Sequence, residues 1–369
     1  MKITDIKCYV MPQVAKPPSF HWRKGLPGEG DGTKPGETTY YAILKVETDE
    51  GIVGHVQARH GHRVLDQVRR RLKPLFVGKD PTNTEALWHE IWELDRLEEF
   101  PVHDLGLLDI ACWDIKSQAA KMPLYKLLGG NNPKVPAYAS TVTWDTMEEY
   151  ERHIKECMDE GFFAFKLHAS GDAKWDAKLC RNLRKWVGDD ADLMFDASAG
   201  WDYVTALWFG RVLEELNFLW YEEPMREFDL PSYTELCAAL DIPILAAETC
   251  DGCHWNAATW IQHRALDMMR TSVGFKGGFT GAIKVAHLAE SFGMRAQVHG
   301  GGWANAQLCA AIPNNDYYEE LVINTEQIKG LKNKGPLSIV EGYLTVPDEP
   351  GMGPQPDWRE VERMALLSV

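Results

Sequence analysis

Apolar positions along this chain change their rhythm near residue 135. Before that point the pattern is mixed. Residues 1–10 read as a first strand, and the runs 40–48 and 51–57 flank the turn residues Asp49, Glu50 and Gly51, which predicts a hairpin. Helical patterns follow over 63–76, 83–94 and 103–121, the last with Leu107, Ile110, Ala111 and Ile115 recurring at three and four. Gly129 and Gly130 stop a short helix after Leu127 and Leu128. Residues 1–130 therefore read as an α+β domain.

From Val135 onward strand and helix alternate. Met147, Tyr150, Ile154 and Met158 form one helix face and end at Gly161; Trp175, Leu179, Leu183 and Trp186 form the next and end at Gly188. Short apolar runs recur between such stripes, over 136–140, 162–168, 193–195, 218–221, 242–247, 266–269, 294–298 and 317–322. Eight βα units within residues 131–335 predict a closed parallel barrel, an α/β fold of the TIM type. The alternative is an open doubly wound sheet, but no G-x-G-x-x-G follows a first strand. Residues 336–369, with hairpin-like pieces and Gly/Pro turns, are expected to return to the N-terminal domain and complete it.

Composition narrows the partners. The 369 residues hold 39 Lys plus Arg against 54 Asp plus Glu, a net charge of −15. Such a surface repels phosphate backbones, so nucleic acid is not an expected partner. No apolar run approaches the length of a membrane span, and the start lacks a signal-peptide pattern, so no membrane association and a cytoplasmic location are expected. Eight scattered cysteines fit reduced thiols there. Cys250-Asp-Gly-Cys253-His254 matches a haem-attachment spacing, but no export signal or second Cys pair supports haem or zinc, and a loop leading into a helix is the preferred reading.

In such a barrel chemistry sits where the strands end. The polar residues ending the runs are Lys166 and His168, then Asp196, Glu222, Glu248, His299 and Glu319. Asp196, Glu222 and Glu248 are 26 residues apart in turn, one βα unit each, so they stand side by side on the rim. One such acid would be a helix cap. Three in register repel each other without a cation, and an all-oxygen trio suits Mg²⁺. Lys166 and His168 share a strand face. A divalent ion nearby is expected to lower the Lys166 pKa enough for it to accept a proton. His299, across the barrel, gives a second base. The arrangement suits removal of a proton α to a carboxylate, with the cation stabilising the enediolate.

These residues resemble the enolase superfamily, in its mandelate racemase/muconate lactonizing enzyme-like branch. The resemblance spans nearly the whole chain, through residues 106–116 and 123–130, Trp220-Tyr-Glu-Glu-Pro224, residues 243–248, Gly277-Gly-Phe-Thr-Gly281 and 292–299. It implies a modified barrel with an α+β capping domain, Mg²⁺ on Asp196, Glu222 and Glu248, and a carboxylic acid at Glu319 that hydrogen-bonds the intermediate. It also implies an even-numbered homo-oligomer, from dimer to octamer. The chain departs from the pattern in three places. Lys166-Leu167-His168 stands where Lys-x-Lys is usual, so His168 inherits the base and Lys166 an electrostatic role. Asp196-Ala-Ser198 replaces Asp-Ala-Asn. Ser272 occupies the place of the Asp that orients the strand-seven His, which leaves His299 without that partner.

The capping loops are expected to set specificity, with His21, Arg23, Arg59 and His60 suiting a polyhydroxylated or dicarboxylate substrate, and Trp303 and Asn305 lining the pocket beyond His299. The expected activity is dehydration of an acid sugar, an aldonate or aldarate, to a 2-keto-3-deoxy acid. A racemase, epimerase or cycloisomerase on the same site is the alternative. A metal and sugar-acid binder without turnover ranks last, kept open by Ser272.

Overall fold

A computed structural model describes residues 1–14, 22–24, 36–98, 102–249 and 252–369. The first part of the chain forms an antiparallel sheet of β1 (Ile3–Val14), β2 (Thr38–Thr48) and β3 (Val53–Ala58). Alternate β2 residues Ala42, Leu44 and Val46 are buried beneath the helices that follow. The pattern over 63–76 is realised as two α-helical pieces, Gly61–Gln67 and Lys73–Phe76, joined by a π-helical turn Val68–Leu72. Residues 103–121 divide at Gly106 into Val102–Leu105 and Leu107–Ala120. The glycine has a packing cause: a Cβ on Gly106 would lie 2.4 Å from the Gly277 carbonyl carbon, so the cap helices dock on the barrel through backbone at this point.

All eight apolar runs of the second part are strands: β4 (Lys134–Thr141), β5 (Ala164–His168), β6 (Asp192–Asp196), β7 (Trp220–Glu222), β8 (Ile244–Ala246), β9 (Met268–Thr271), β10 (Ala296–Val298) and β11 (Tyr318–Val322). Strands β4 to β10 pair in parallel with their neighbours, and β11 pairs in parallel with β4. Side chains and turn backbone close the remaining seam: Ala296 N donates to the Asn314 carbonyl at 2.8 Å and Val298 N to Asn315 Oδ1 at 2.9 Å. Tyr138, Ala164, Met194, Trp220, Leu245 and Tyr317 form a separate apolar cluster. By strand parity Ala164, Met194 and Trp220 face the same way as Lys166 and His168, Asp196 and Glu222 above them, so the cluster plugs the barrel beneath the polar layer.

The tail takes a route the sequence did not reveal. It first adds the hairpin β12 (Ile339–Val340) and β13 (Tyr343–Thr345) to the barrel, β13 pairing antiparallel with β4. It then crosses to the cap, where Gly351 N and Met352 N donate to Ser117 Oγ and Asp114 Oδ1. The helix Trp358–Met364 and β14 (Leu367–Ser368), antiparallel to β1, finish it. No helix among the described residues is long and apolar enough to cross a membrane.

Candidate active site

Strand register builds the site. His168 pairs with Asp196 across β5 and β6, and Asp196 with Glu222 across β6 and β7, so the three stand in one row at the strand ends. Glu248 lies two residues past β8. Lys166, one period below His168, is fully buried, with Nζ 3.0 Å from Glu222, 3.0 Å from Glu319 and 3.8 Å from Asp196.

Two carboxylates bear directly on Lys166. Burial works to lower its pKa, but the Glu222 and Glu319 carboxylates outweigh it and hold the ammonium well above the ordinary lysine value. The residue is placed to act as a fixed cation rather than a base. Glu319 is set the other way. Burial opposes ionisation, yet Lys166 and Arg270, with hydrogen bonds from Ser140 Oγ and Gly300 N at 2.7 Å each, keep it well below the usual carboxylate range.

Sequence reading missed Arg270. Its guanidinium is fully buried, with Nε 2.8 Å from Glu222 and 3.7 Å from Glu248, and Nη2 2.8 Å from Glu319 and 3.0 Å from the Tyr138 hydroxyl. The signal was present. Arg270 is the charged residue that ends the sixth apolar run, the criterion that found the others.

On the β5 side, His168 Nδ1 lies 2.5 Å from the Thr141 carbonyl. A carbonyl only accepts, so Nδ1 carries the proton and Nε2 is left to exchange protons. Nε2 sits 3.2 Å from Asp196 Oδ2. Burial raises the Asp196 pKa, but His168 and Lys166 overcome it and the group is held below its ordinary value. Asp196 Oδ1 accepts from Ser198 N at 2.6 Å. The cap reaches this side through Trp22, whose ring centroid is 4.8 Å from that of His168. Arg23 Nε donates to the Ser198 carbonyl at 2.8 Å, which fastens the loop after β6. His21 lies outside the described residues.

On the far side, Ser272 does not reach His299; its hydroxyl accepts from Phe275 N at 3.0 Å. His299 is not without a carboxylate, however. Its Nδ1 lies 3.0 Å from Glu248 and 3.6 Å from Glu319. Burial lowers its pKa and these two acids raise it further, so the net shift is upward. Asn305 fixes the backbone here, its amide donating to the His299 carbonyl at 2.8 Å and its oxygen accepting from Val273 N at 3.1 Å.

The donors fit a hard divalent cation. Oxygens of Glu222 and Glu248 and a nitrogen of His299 all lie within 4.8 Å of one another; Asp196 falls outside that group and meets it through Lys166 Nζ, 3.8 Å from Asp196 and 3.0 Å from Glu222. Glu222 is fully buried and its Oε1 has no aligned hydrogen bond. Burial pushes its pKa up against Arg270 and Lys166, and the Asp196 and Glu319 carboxylates add to the rise. Two further residues steady Glu248: Glu223 Oε1 accepts its backbone N–H at 3.0 Å, and Lys276 Nζ donates to the Ala247 and Glu248 carbonyls at 2.6 and 3.0 Å.

Of the specificity candidates, Arg59 and Trp303 line a groove of about 730 Å³ with Gln13, Tyr41, Gln57 and Gln355. Its wall includes Gly301 and Gly302, so it adjoins the loop that follows His299. His60 begins the helix Gly61–Gln67 in a left-handed conformation, and burial and Arg63 lower its pKa. Cys250 is outside the described residues. Cys253 is buried, its thiol pushed up to about 11 by burial, and the His254 ring lies tilted against Trp255 at 4.2 Å.

Comparison with known proteins gives the family. Residues 32–129 match the mandelate racemase/muconate lactonizing enzyme N-terminal domain, and 149–361 the enolase C-terminal domain-like family. An arabinonate dehydratase of Saccharolobus solfataricus is 29% identical over 322 residues, covering 84% of this chain and 86% of its own. An N-succinyl-L-Arg/Lys racemase of Bacillus cereus is 25% identical over 327 residues, 84% and 86% of the two chains. A solved structure of D-glucarate dehydratase from Agrobacterium tumefaciens, complexed with magnesium, matches over 100% of both chains at TM-score 0.87 and 31% identity. The chain belongs to the enolase superfamily, in the mandelate racemase/muconate lactonizing enzyme branch.

Proposed function

We propose that the protein is an acid-sugar dehydratase that holds Mg²⁺ on Asp196, Glu222 and Glu248 and converts an aldonate or aldarate to a 2-keto-3-deoxy acid. Bound there, the cation supplies positive charge to the substrate carboxylate as its α-proton leaves. His168 Nε2 takes that proton, its tautomer fixed by the Thr141 carbonyl. Lys166, kept as an ammonium, adds fixed positive charge below the reacting carboxylate. His299, on the opposite wall, gives a proton to the departing β-hydroxyl. One C–H and one C–O bond break, water leaves, and the enol ketonises. Trp22 over His168 shields the base from bulk water.

The observation that carries this reading is the row His168, Asp196 and Glu222 at adjacent strand ends above a buried lysine. Named relatives that act on arabinonate and glucarate support the sugar-acid substrate. The test is a panel of mono- and di-acid sugars incubated with Mg²⁺, with semicarbazide trapping of the keto acid. Keto-acid formation from at least one member is expected. Solvent deuterium entering the α-position with no keto acid would replace this reading with epimerisation, and neither outcome on any member would end it.

A further inference from the structure

The buried charges around Lys166 close into a ring. Glu222 gives Oε2 to Lys166 at 3.0 Å and Oε1 to Arg270 at 2.8 Å. Glu319 gives Oε1 to Lys166 at 3.0 Å and Oε2 to Arg270 at 2.8 Å. Two cations and two carboxylates thus alternate, all four at or below 4% exposed. Buried charges at this density are tolerated only when paired and hydrogen-bonded. Arg270 meets that requirement with two further contacts, from Nη2 to the Tyr138 hydroxyl and from Nη1 to the Val298 carbonyl.

We propose that Arg270 is a positioning residue that competes with the divalent cation for Glu222: its charge holds Glu222 and Glu319 in place without the cation and, by the same contact, limits how tightly the cation binds. The inference rests on the cation site proposed above. With its members ionised the ring is neutral, so Glu222 and Glu319 add no net charge to the site beyond that of their two cation partners. Arg270 Nε and Glu222 Oε1 are close, yet neither makes an aligned hydrogen bond. The contact is therefore charge against charge, and it leaves the Glu222 lone pairs free for a second cation. Arg270 Nε also lies 3.7 Å from Glu248, so its attraction competes for a second ligand. A neutral side chain at 270 would leave Glu222 and Glu319 short of one positive charge, which a bound ion would supply.

The test uses the full chain stripped with chelator, with Mg²⁺ affinity read by titration calorimetry and unfolding midpoints read with and without Mg²⁺. Arg270→Gln is expected to bind Mg²⁺ about tenfold or more tightly than the wild type. Its chelator-treated form should melt earlier, and Mg²⁺ should recover most of the difference. Arg270→Lys, which keeps the charge, should bind like the wild type. The double variant Arg270→Gln/Glu319→Gln removes one charge of each sign and should return to wild-type affinity. It also serves as the readout if Arg270→Gln alone does not fold. Unchanged or weaker Mg²⁺ binding by the neutral variant, with equal loss of stability in both states, would overturn the proposal and leave Arg270 a packing residue. Absence of saturable Mg²⁺ binding by the wild type would instead overturn the cation site itself.

Discussion

His168 is the residue on which the proposed chemistry turns. Replacing it with Asn keeps an amide that can donate to the Thr141 carbonyl but removes the basic nitrogen. Turnover and α-proton exchange are expected to fall by about 10²–10⁴-fold, with Mg²⁺ still bound. Exchange in D₂O followed by NMR measures this directly, and unaltered exchange would remove His168 from the mechanism. Lys276 acts at one remove. Its ammonium caps the Ala247 and Glu248 carbonyls, where Ala247 holds a left-handed φ of 71°. Lys276→Met is expected to weaken Mg²⁺ binding by about tenfold, in the range typical of groups that orient ligands, while turnover at saturating Mg²⁺ changes less. Much of this site was legible because strand-end position and residue type are both sequence properties. What escaped was coupling. No spacing states that Arg270 and Lys166 clasp the same two glutamates, that Glu223 turns to the Glu248 amide, or that Glu248 stands where Ser272 cannot reach.

Among the elements, the helix Phe279–Ser291 shows how cap and barrel are joined. It begins at Gly278, which has no side chain to cap it, and Asp109 of the cap helix Leu107–Ala120 does so instead, accepting from Thr280 N at 3.0 Å and Thr280 Oγ1 at 2.6 Å. A Cβ on Gly278 would fall 2.2 Å from Asp109 Oδ2, so the glycine is required by the approach of that carboxylate. Asp109→Ala is expected to cost about 1–3 kcal/mol by chemical denaturation, since it orphans buried donors. Burial also pushes the Asp109 pKa up to about 7, and that of Asp176, which ties down the loop after His168, to about 7. In the unfolded chain both acids release their protons near pH 4. Between about pH 4 and 7 the unfolded state therefore binds fewer protons than the native state, and stability falls as pH rises. Asp109→Asn, which has no proton to lose, should flatten part of that slope in midpoints measured from pH 4 to 8; an unchanged slope would place the effect elsewhere. The strands themselves were readable from apolar runs. The docking of Gly106 on Gly277 was not, because the two lie far apart along the chain.

At the scale of the whole molecule, the proposed ligands and bases belong to the barrel, while the cap supplies Trp22 against His168 and the groove around Arg59. These two functions are physically separable, and the tail offers a way to separate them. It pairs β14 with β1, and the helix Trp358–Met364 sets Val361 among Tyr9, Met11 and Ile43 on the outer sheet face. The barrel attachment through β13 lies before residue 346. Truncation after residue 356 thus strips the cap's outer face and leaves the barrel hairpin and the Asp114 and Ser117 contacts with residues 351 and 352 intact. Exposing that cluster forfeits roughly 1.5–3 kcal/mol for each large side chain uncovered. The unfolding midpoint should drop by about 5 °C or more. Mg²⁺ affinity should hold within about twofold, because every proposed ligand lies on β6 to β8 or just beyond, whereas KM should rise as the cap loses its fixed seat over the barrel mouth. Calorimetric titration beside steady-state kinetics distinguishes the outcomes. A parallel loss of Mg²⁺ affinity and KM would show that the cap shapes the cation site itself, and that the barrel is not the self-contained catalytic unit its strand ends suggest.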